Sequence, residues 1–274
     1  IPASTSKPHM TTISGANRFY IRSGSGRSVM DVDQLRAAFA ATGEKAEKIR
    51  TWWYDRLTKI KEGGVSITMA RSSRLALHVI SLRQFGAASP MSMEAMNMRA
   101  TDIKTLSGNG GDIYINIDGI RVVDVDAGID SRARGYCQLY RGGMIESVWC
   151  GFWAWDDGAT QIPSVAIEEY IVDSTIKYVE LLDCLGIKPP YAIMAALLNV
   201  KGARITDDVL RHRIARPIDR SDIIMPDLLL NTTYEKRSDV AKFMRPLLDG
   251  IWNACGLVSS SNYDKDGNWI PAMK

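Results

Sequence analysis

Between residues 112 and 153 four short runs rich in β-branched and aromatic residues follow one another with no room for a helix between them: DIYINID (112–118), IRVVDVD (120–126), GYCQLY (135–140) and MIESVWCGFW (144–153). Asp118-Gly119 separates the first two, and Arg141-Gly142-Gly143 the last two. Parallel neighbours require a crossover of a dozen or more residues, whereas antiparallel neighbours need only a tight turn. The segment therefore predicts an antiparallel meander of about four strands.

Helical periodicity surrounds this meander. Over residues 44–64, Ala46, Ile49, Trp53, Leu57 and Ile60 recur at steps of three and four, and Gly63-Gly64 supplies a stop. Residues 163–186 open on Pro163 and place Ile167, Ile171, Tyr178 and Leu182 on one side. Residues 239–255 repeat the pattern with Val240, Leu247, Leu248 and Ile251, with Pro246 either kinking the helix or marking its start. Asp31 with Gln34 predicts a further helix start, ending near Gly43. Two other segments, 74–82 and 191–200, read as strands, and 204–222 as a long loop. The Met-rich stretch 88–102 reads as a mobile loop whose methionines fill gaps. The expected fold is α+β: the meander packed with two or three amphipathic helices.

With 274 residues and 46% hydrophobic content, the chain can bury a substantial core. Its net charge of +3 is too small to imply a polyanion partner by itself. The charge is uneven, however. Residues 1–62 carry 11 Lys/Arg against 6 Asp/Glu, and the remainder 23 against 25. That basic section points toward phosphate or nucleic acid, or to a solvated surface. Cys137, Cys150, Cys184 and Cys255 are far apart, and His9, His78 and His212 stand alone, so no zinc-ligand spacing occurs. Unpaired cysteines suit a reducing cytoplasm. No apolar run reaches the roughly 18–20 residues that span a bilayer.

The GSGRS stretch (Gly24–Ser28) half-matches a phosphate-binding loop. Ile21 stands where the first glycine belongs, and Arg27 replaces the compact lysine. Gly24, Gly26 and Arg27 form the candidate nucleotide sensor; the alternative is that the glycines release a strand into a helix. Asp124, Asp126 and Glu146 are a candidate metal set if they converge across the meander; the alternative is a wet polar face. Calcium of the EF-hand kind is excluded, because Ala127 and Gly135 occupy ligand positions. Arg18 and Arg22, four apart on a strand, project from one face, and Arg27 follows on the loop. With Lys45 and Lys48 they form the candidate nucleic-acid surface. Trp52-Trp53, and Trp153 with Trp155, serve either base stacking or packing.

Residues 8–39, PHMTTISGANRFYIRSGSGRSVMDVDQLRAAF, resemble the closing segment of the Schlafen-type AlbA-like domain found in bacterial proteins labelled DNA-binding or ATP-binding. Pro8, His9, Asn17, Arg18, Phe19, Tyr20, Arg22, Met30, Asp31, Leu35, Arg36 and Phe39 carry the match. Later stretches, among them LALHVISL and PPYAIMAALLNVKG, resemble the half often fused to it. The resemblance implies the end of an AlbA-like domain at 1–42, a bridging helix at 43–64 and a carboxyl-terminal α+β domain at 65–274. The carboxylates of Schlafen nucleases would lie before Ile1, so no catalytic residue and no cofactor is carried onto this chain. The implied function is a non-catalytic accessory half of a nucleic-acid-binding protein, with transcriptional regulation or phage defence as kinship roles. The implied partners are nucleic acid, an upstream AlbA-like body or partner chain, and a second copy. The alternatives are a metal-dependent nuclease and a nucleotide sensor.

Overall fold

Asp31 and Gln34 cap each other reciprocally: the Gln34 N–H donates to Asp31 Oδ1 at 2.7 Å, and the Asp31 N–H to Gln34 Oε1 at 3.2 Å. This capping box starts α1, Val32–Glu62. The computed structural model describes residues 8–13, 15–23, 26–87, 89–125, 132–154, 160–206 and 215–270. Within them the fold is α+β. The chain divides into two compact units, Ile1–Thr58 and Lys59–Lys274.

In the first unit β1 (Met10–Ile13), β2 (Ala16–Ser23) and β3 (Gly26–Val29) form an antiparallel sheet in that order. A strand therefore follows the Gly/Ser loop, where the sequence suggests direct release into a helix. Gly43 does not end α1, which continues to Glu62. A glycine stop works through a left-handed backbone, and Gly43 is helical. Its cost of about 1 kcal/mol is too small to break a helix flanked by good helix formers. Ile49, Trp53, Leu57 and Ile60 are buried as the periodicity predicts, whereas Ala46 is exposed.

The second unit is built on a larger sheet than the meander alone. The expected strands are β5 (Asp112–Asn116), β6 (Gly119–Val125), β7 (Ala133–Tyr140) and β8 (Met144–Trp149). β4 (Arg74–Ser81) pairs beside β8, and β11 (Tyr191–Leu198) beside β4. Along the far edge of β11 lie β13 (Ile223–Ile224) and β14 (Leu228–Leu230), and every pairing in this sheet is antiparallel. β9 (Trp153–Ala154), β10 (Thr160–Pro163) and β12 (Arg204–Thr206) form a second small sheet, so the segment expected to be loop opens on a strand. Gly119 is needed at the first meander turn: a Cβ there would lie 2.1 Å from the Leu139 carbonyl oxygen.

Alternation along β4 turns Leu75, Leu77 and Val79 to one face, where they join Ile120, Val122, Leu139, Ile145 and Ile193. Two helices complete this core, α3 (Ser164–Cys184) through Ile167, Ile171 and Leu182, and α4 (Arg237–Ala254) through Leu247, Leu248 and Ile251. α4 runs on through Pro246, so that proline does not mark its start. The Met-rich stretch is ordered rather than a loop: it forms α2 (Met93–Asn97) and a 3₁₀ turn, Ala100–Asp102. Met96 is wholly buried there, filling space above Gly119. No described helix is long and apolar enough to cross a membrane.

One buried carboxylate ties the last segment to the core. Glu168 Oε1 accepts from Trp252 Nε1 at 2.8 Å and Ser260 Oγ at 2.6 Å; Oε2 accepts from Asn262 Nδ2 at 3.0 Å and Trp269 Nε1 at 2.7 Å. Burial pushes this carboxyl above its usual value, and the four donors pull it back. In Glu168→Gln the amide nitrogen can accept from neither indole, so Trp252 or Trp269 loses its acceptor. The expected loss is about 1–3 kcal/mol, read as a lower urea midpoint by tryptophan fluorescence. Gly43→Ala has the opposite sign. A Cβ at Gly43 meets nothing within 4 Å, so removing the glycine stabilises the protein by about 0.5–1 kcal/mol in the same assay.

Candidate nucleic-acid interface

The register of the small sheet decides which of the basic residues share a surface. β2 alternates, so Arg18 and Tyr20 hold one face, to which position 22 belongs by register, and Asn17, Phe19 and Ile21 the other. Arg22 pairs with Arg27 across β2 and β3, and Tyr20 with Val29, so Arg27 joins the first face. Phe19 meets Phe39 of α1 edge to face, with centroids 6.1 Å apart. The helix therefore contacts the opposite face, and the arginine face is turned away from Phe39. Arg18 and Arg27 are exposed and Tyr20 is half-buried. The Arg27 guanidinium lies 5.0 Å from the centre of the Tyr20 ring, a cation–π distance. Tyr20 is the member that the charge-based reading missed; its signal is the two-residue offset from both arginines in RFYIR.

The lysines lie on α1, whose Phe39 contacts the other face of the sheet. A rise of 1.5 Å per residue puts Lys45 about 9 Å and Lys48 about 14 Å along α1 from Phe39. Lys45 is half-buried, and burial lowers its pKa. Lys48 is exposed but lines a shallow groove with the carboxylates of Glu44, Glu47 and Asp55. Among the described residues the nucleotide-sensor geometry is not formed either. A phosphate-binding loop runs from strand to helix N-terminus, whereas Gly26 and Arg27 lie in β3. Gly24 lies outside the described residues.

Asp124 and Glu146 do not converge. Glu146 pairs with Gln138, and Gln138 with Arg121, so these three share a face. Asp124, three residues after Arg121, faces the other way. Asp126 lies outside the described residues. Glu146 is wholly buried: it lies 3.1 Å from His78 Nε2 and accepts from the Tyr136 hydroxyl at 2.9 Å and the Tyr140 hydroxyl at 3.2 Å. Neither side chain of the His78–Glu146 pair is exposed to solvent. Asp124 accepts from Asn109 Nδ2 at 3.1 Å and Ser107 Oγ at 3.4 Å, with Arg134 at 3.5 Å. Among the described residues no group of three or more His, Cys, Asp or Glu side chains is placed to hold a metal.

Asp124 and Arg134 line a cavity of about 300 Å³ with Arg71, Trp149, Cys150 and Tyr170. Arg71 donates to the Phe152 carbonyl, and the Cys150 thiol to that of Ala133. Nearby Arg74 is nine-tenths buried, and its Nε and Nη1 have no hydrogen-bond partner among the described residues. No family model, curated protein or solved structure matches this chain.

The thiols report on this part of the structure. Burial pushes Cys137 up to about 12 and also raises Cys150 and Cys255, whereas Cys184 is exposed. Thiolate is the reactive form, so one rapidly reacting thiol is expected in the folded chain at pH 8 and four in denaturant. A disulfide-exchange reagent read by absorbance checks the count, and Cys184→Ser should abolish the rapid phase.

Proposed function

We propose that this chain is a non-catalytic nucleic-acid-contacting module whose contact surface is the Arg18–Tyr20–Arg22–Arg27 face of the β1–β3 sheet. The observation that carries this reading is the register, which puts Arg18, Tyr20 and Arg27 on the face turned away from Phe39, with the Arg27 guanidinium over the Tyr20 ring. Arginines at such spacing neutralise backbone phosphates, and an aromatic ring between them offers a stacking platform for an unpaired base. That combination suits a single strand better than a duplex, whose bases are already stacked. The excess of Lys/Arg in residues 1–62 and the resemblance of residues 8–39 to the Schlafen-type AlbA-like segment point the same way. By that kinship the module serves regulation or defence, in a reducing cytoplasm, with catalysis supplied elsewhere.

Fluorescence anisotropy with a mixed-sequence single strand, over a series of salt concentrations, tests the proposal. Log K is expected to fall linearly with log[salt], and each of Arg18→Ala, Arg22→Ala and Arg27→Ala to reduce the slope by about 0.7. Tyr20→Ala should weaken binding by about 1–3 kcal/mol while leaving the slope unchanged. Absence of binding at low salt, or binding unaltered in the triple arginine variant, would overturn the assignment.

A further inference from the structure

The large sheet ends in an uncovered strand. Among the described residues β5 is the last strand on its side and pairs only with β6. Its apolar side chains remain in solvent on both faces: Ile113 is 44% exposed, Tyr114 51% and Ile115 59%, and Ile117 in the adjoining turn is 88% exposed. Edge strands are usually protected from pairing by lysine, proline or a bulge. Residues 112–117 contain no lysine or proline, and β5 pairs with β6 without a register shift.

The hydrogen-bonding groups of this edge can be assigned from the turn. Asn116 pairs with Gly119, so the hairpin closes over two residues. The pair flanking a two-residue turn is hydrogen-bonded, and such pairs alternate with non-bonded ones. Asp112, Tyr114 and Asn116 therefore turn their N–H and C=O groups toward β6, and Ile113 and Ile115 present theirs to the free edge.

We infer that β5 is a self-association edge, at which a second copy of this chain adds its own β5 antiparallel about a two-fold axis through Tyr114. The register follows from the groups on offer. Ile113 opposite Ile115 of the second copy exchanges both backbone bonds and sets isoleucine against isoleucine on one face. Tyr114 then meets Tyr114 of the second copy as a non-bonded pair, in which side chains come closest. Asp112 faces an asparagine, Asn116, rather than a carboxylate. The two-fold axis also sets the turn end of one copy, which carries Asp118, toward the Gly110 end of the other, where a Cβ would stand 3.8 Å from Lys104 Nζ. A parallel in-register pairing would instead set Asp112 against Asp112. The contact is isologous, so it closes at two copies rather than growing into a fibre. An edge of five residues is small beside the roughly 800 Å² per partner of a standard interface, so a weak, transient dimer is expected.

Sedimentation velocity of the full 274-residue chain, from about 1 to about 200 µM, should show a monomer–dimer equilibrium. Ile115→Lys should raise the dimer Kd at least about tenfold, with unchanged circular dichroism. A covalent trap keeps the test decisive if that variant folds poorly. In a Cys184→Ser background, Tyr114→Cys places one thiol per copy at the axis and should give a disulfide-linked dimer on mild oxidation. Ile117→Cys in the same background should not, because its two thiols would stand about 20 Å apart along the strands. A monomer throughout the range, a dimer indifferent to Ile115→Lys, or equal cross-linking at positions 114 and 117 would overturn the inference.

Discussion

The burial of β4 on both faces is the constraint on which the larger unit depends. All eight of its residues are buried, and β11 beside it has only Ala192 less than buried. A strand in that position cannot alternate apolar and polar residues in the usual way. One face carries Leu75, Leu77 and Val79, which share the core with residues of α3 and α4. The other carries Ala76, His78 and Ile80, so a polar residue must be satisfied from within the sheet. His78 lies opposite Glu146, and Glu146 opposite Gln138, which places ring, carboxylate and amide in one row across three strands. Gln138 in turn accepts from Arg121 Nε and Asn116 Nδ2, each at 2.9 Å. The acids of the meander are thus part of its structure: a buried charge without partners costs several kcal/mol.

The same logic recurs at Glu168, where four donors from three separated parts of the chain converge on one carboxylate. Two of them are indole N–H groups, from Trp252 and Trp269. Each indole supplies apolar area to the packing and needs one acceptor when buried. A single carboxylate on α3 meets that need for α4 and for the segment beyond it. These tryptophans belong to the fold, as does wholly buried Trp53, and not to a stacking surface. Tyr20, by contrast, is only half-buried in the small sheet and lies beside the Arg27 guanidinium.

The two units differ in what they leave to solvent. The large sheet seals its polar groups inside and exposes apolar side chains at β5. The small sheet has too few strands to bury both faces and leaves its charged face open. A guanidinium in water can exchange its hydration for another partner, whereas one sealed like Arg74 is held within the fold.

Much of this was legible in the residues themselves. Tight turns at Asp118-Gly119 and Arg141-Gly142-Gly143 specified the meander, because no helix fits between its strands. The stripe of Ile49, Trp53, Leu57 and Ile60 specified a buried helix face, and Asp31 with Gln34 a helix start; that the two belong to one helix running through Gly43 was not legible. These signals are local: period, turn chemistry and capping act within a few residues. Tertiary structure decided the rest. Only pairing showed that β4 and β11 extend the meander, since sheet order depends on contacts between segments distant in sequence. Only register separated Asp124 from Glu146, because a shift of one residue exchanges the faces of a strand. Arg18 and Arg22 were on one face by spacing alone. That Arg27 joins them, with its guanidinium over Tyr20, required β3 to fold back on β2, and that pairing lies beyond what a Gly/Ser loop encodes in its sequence.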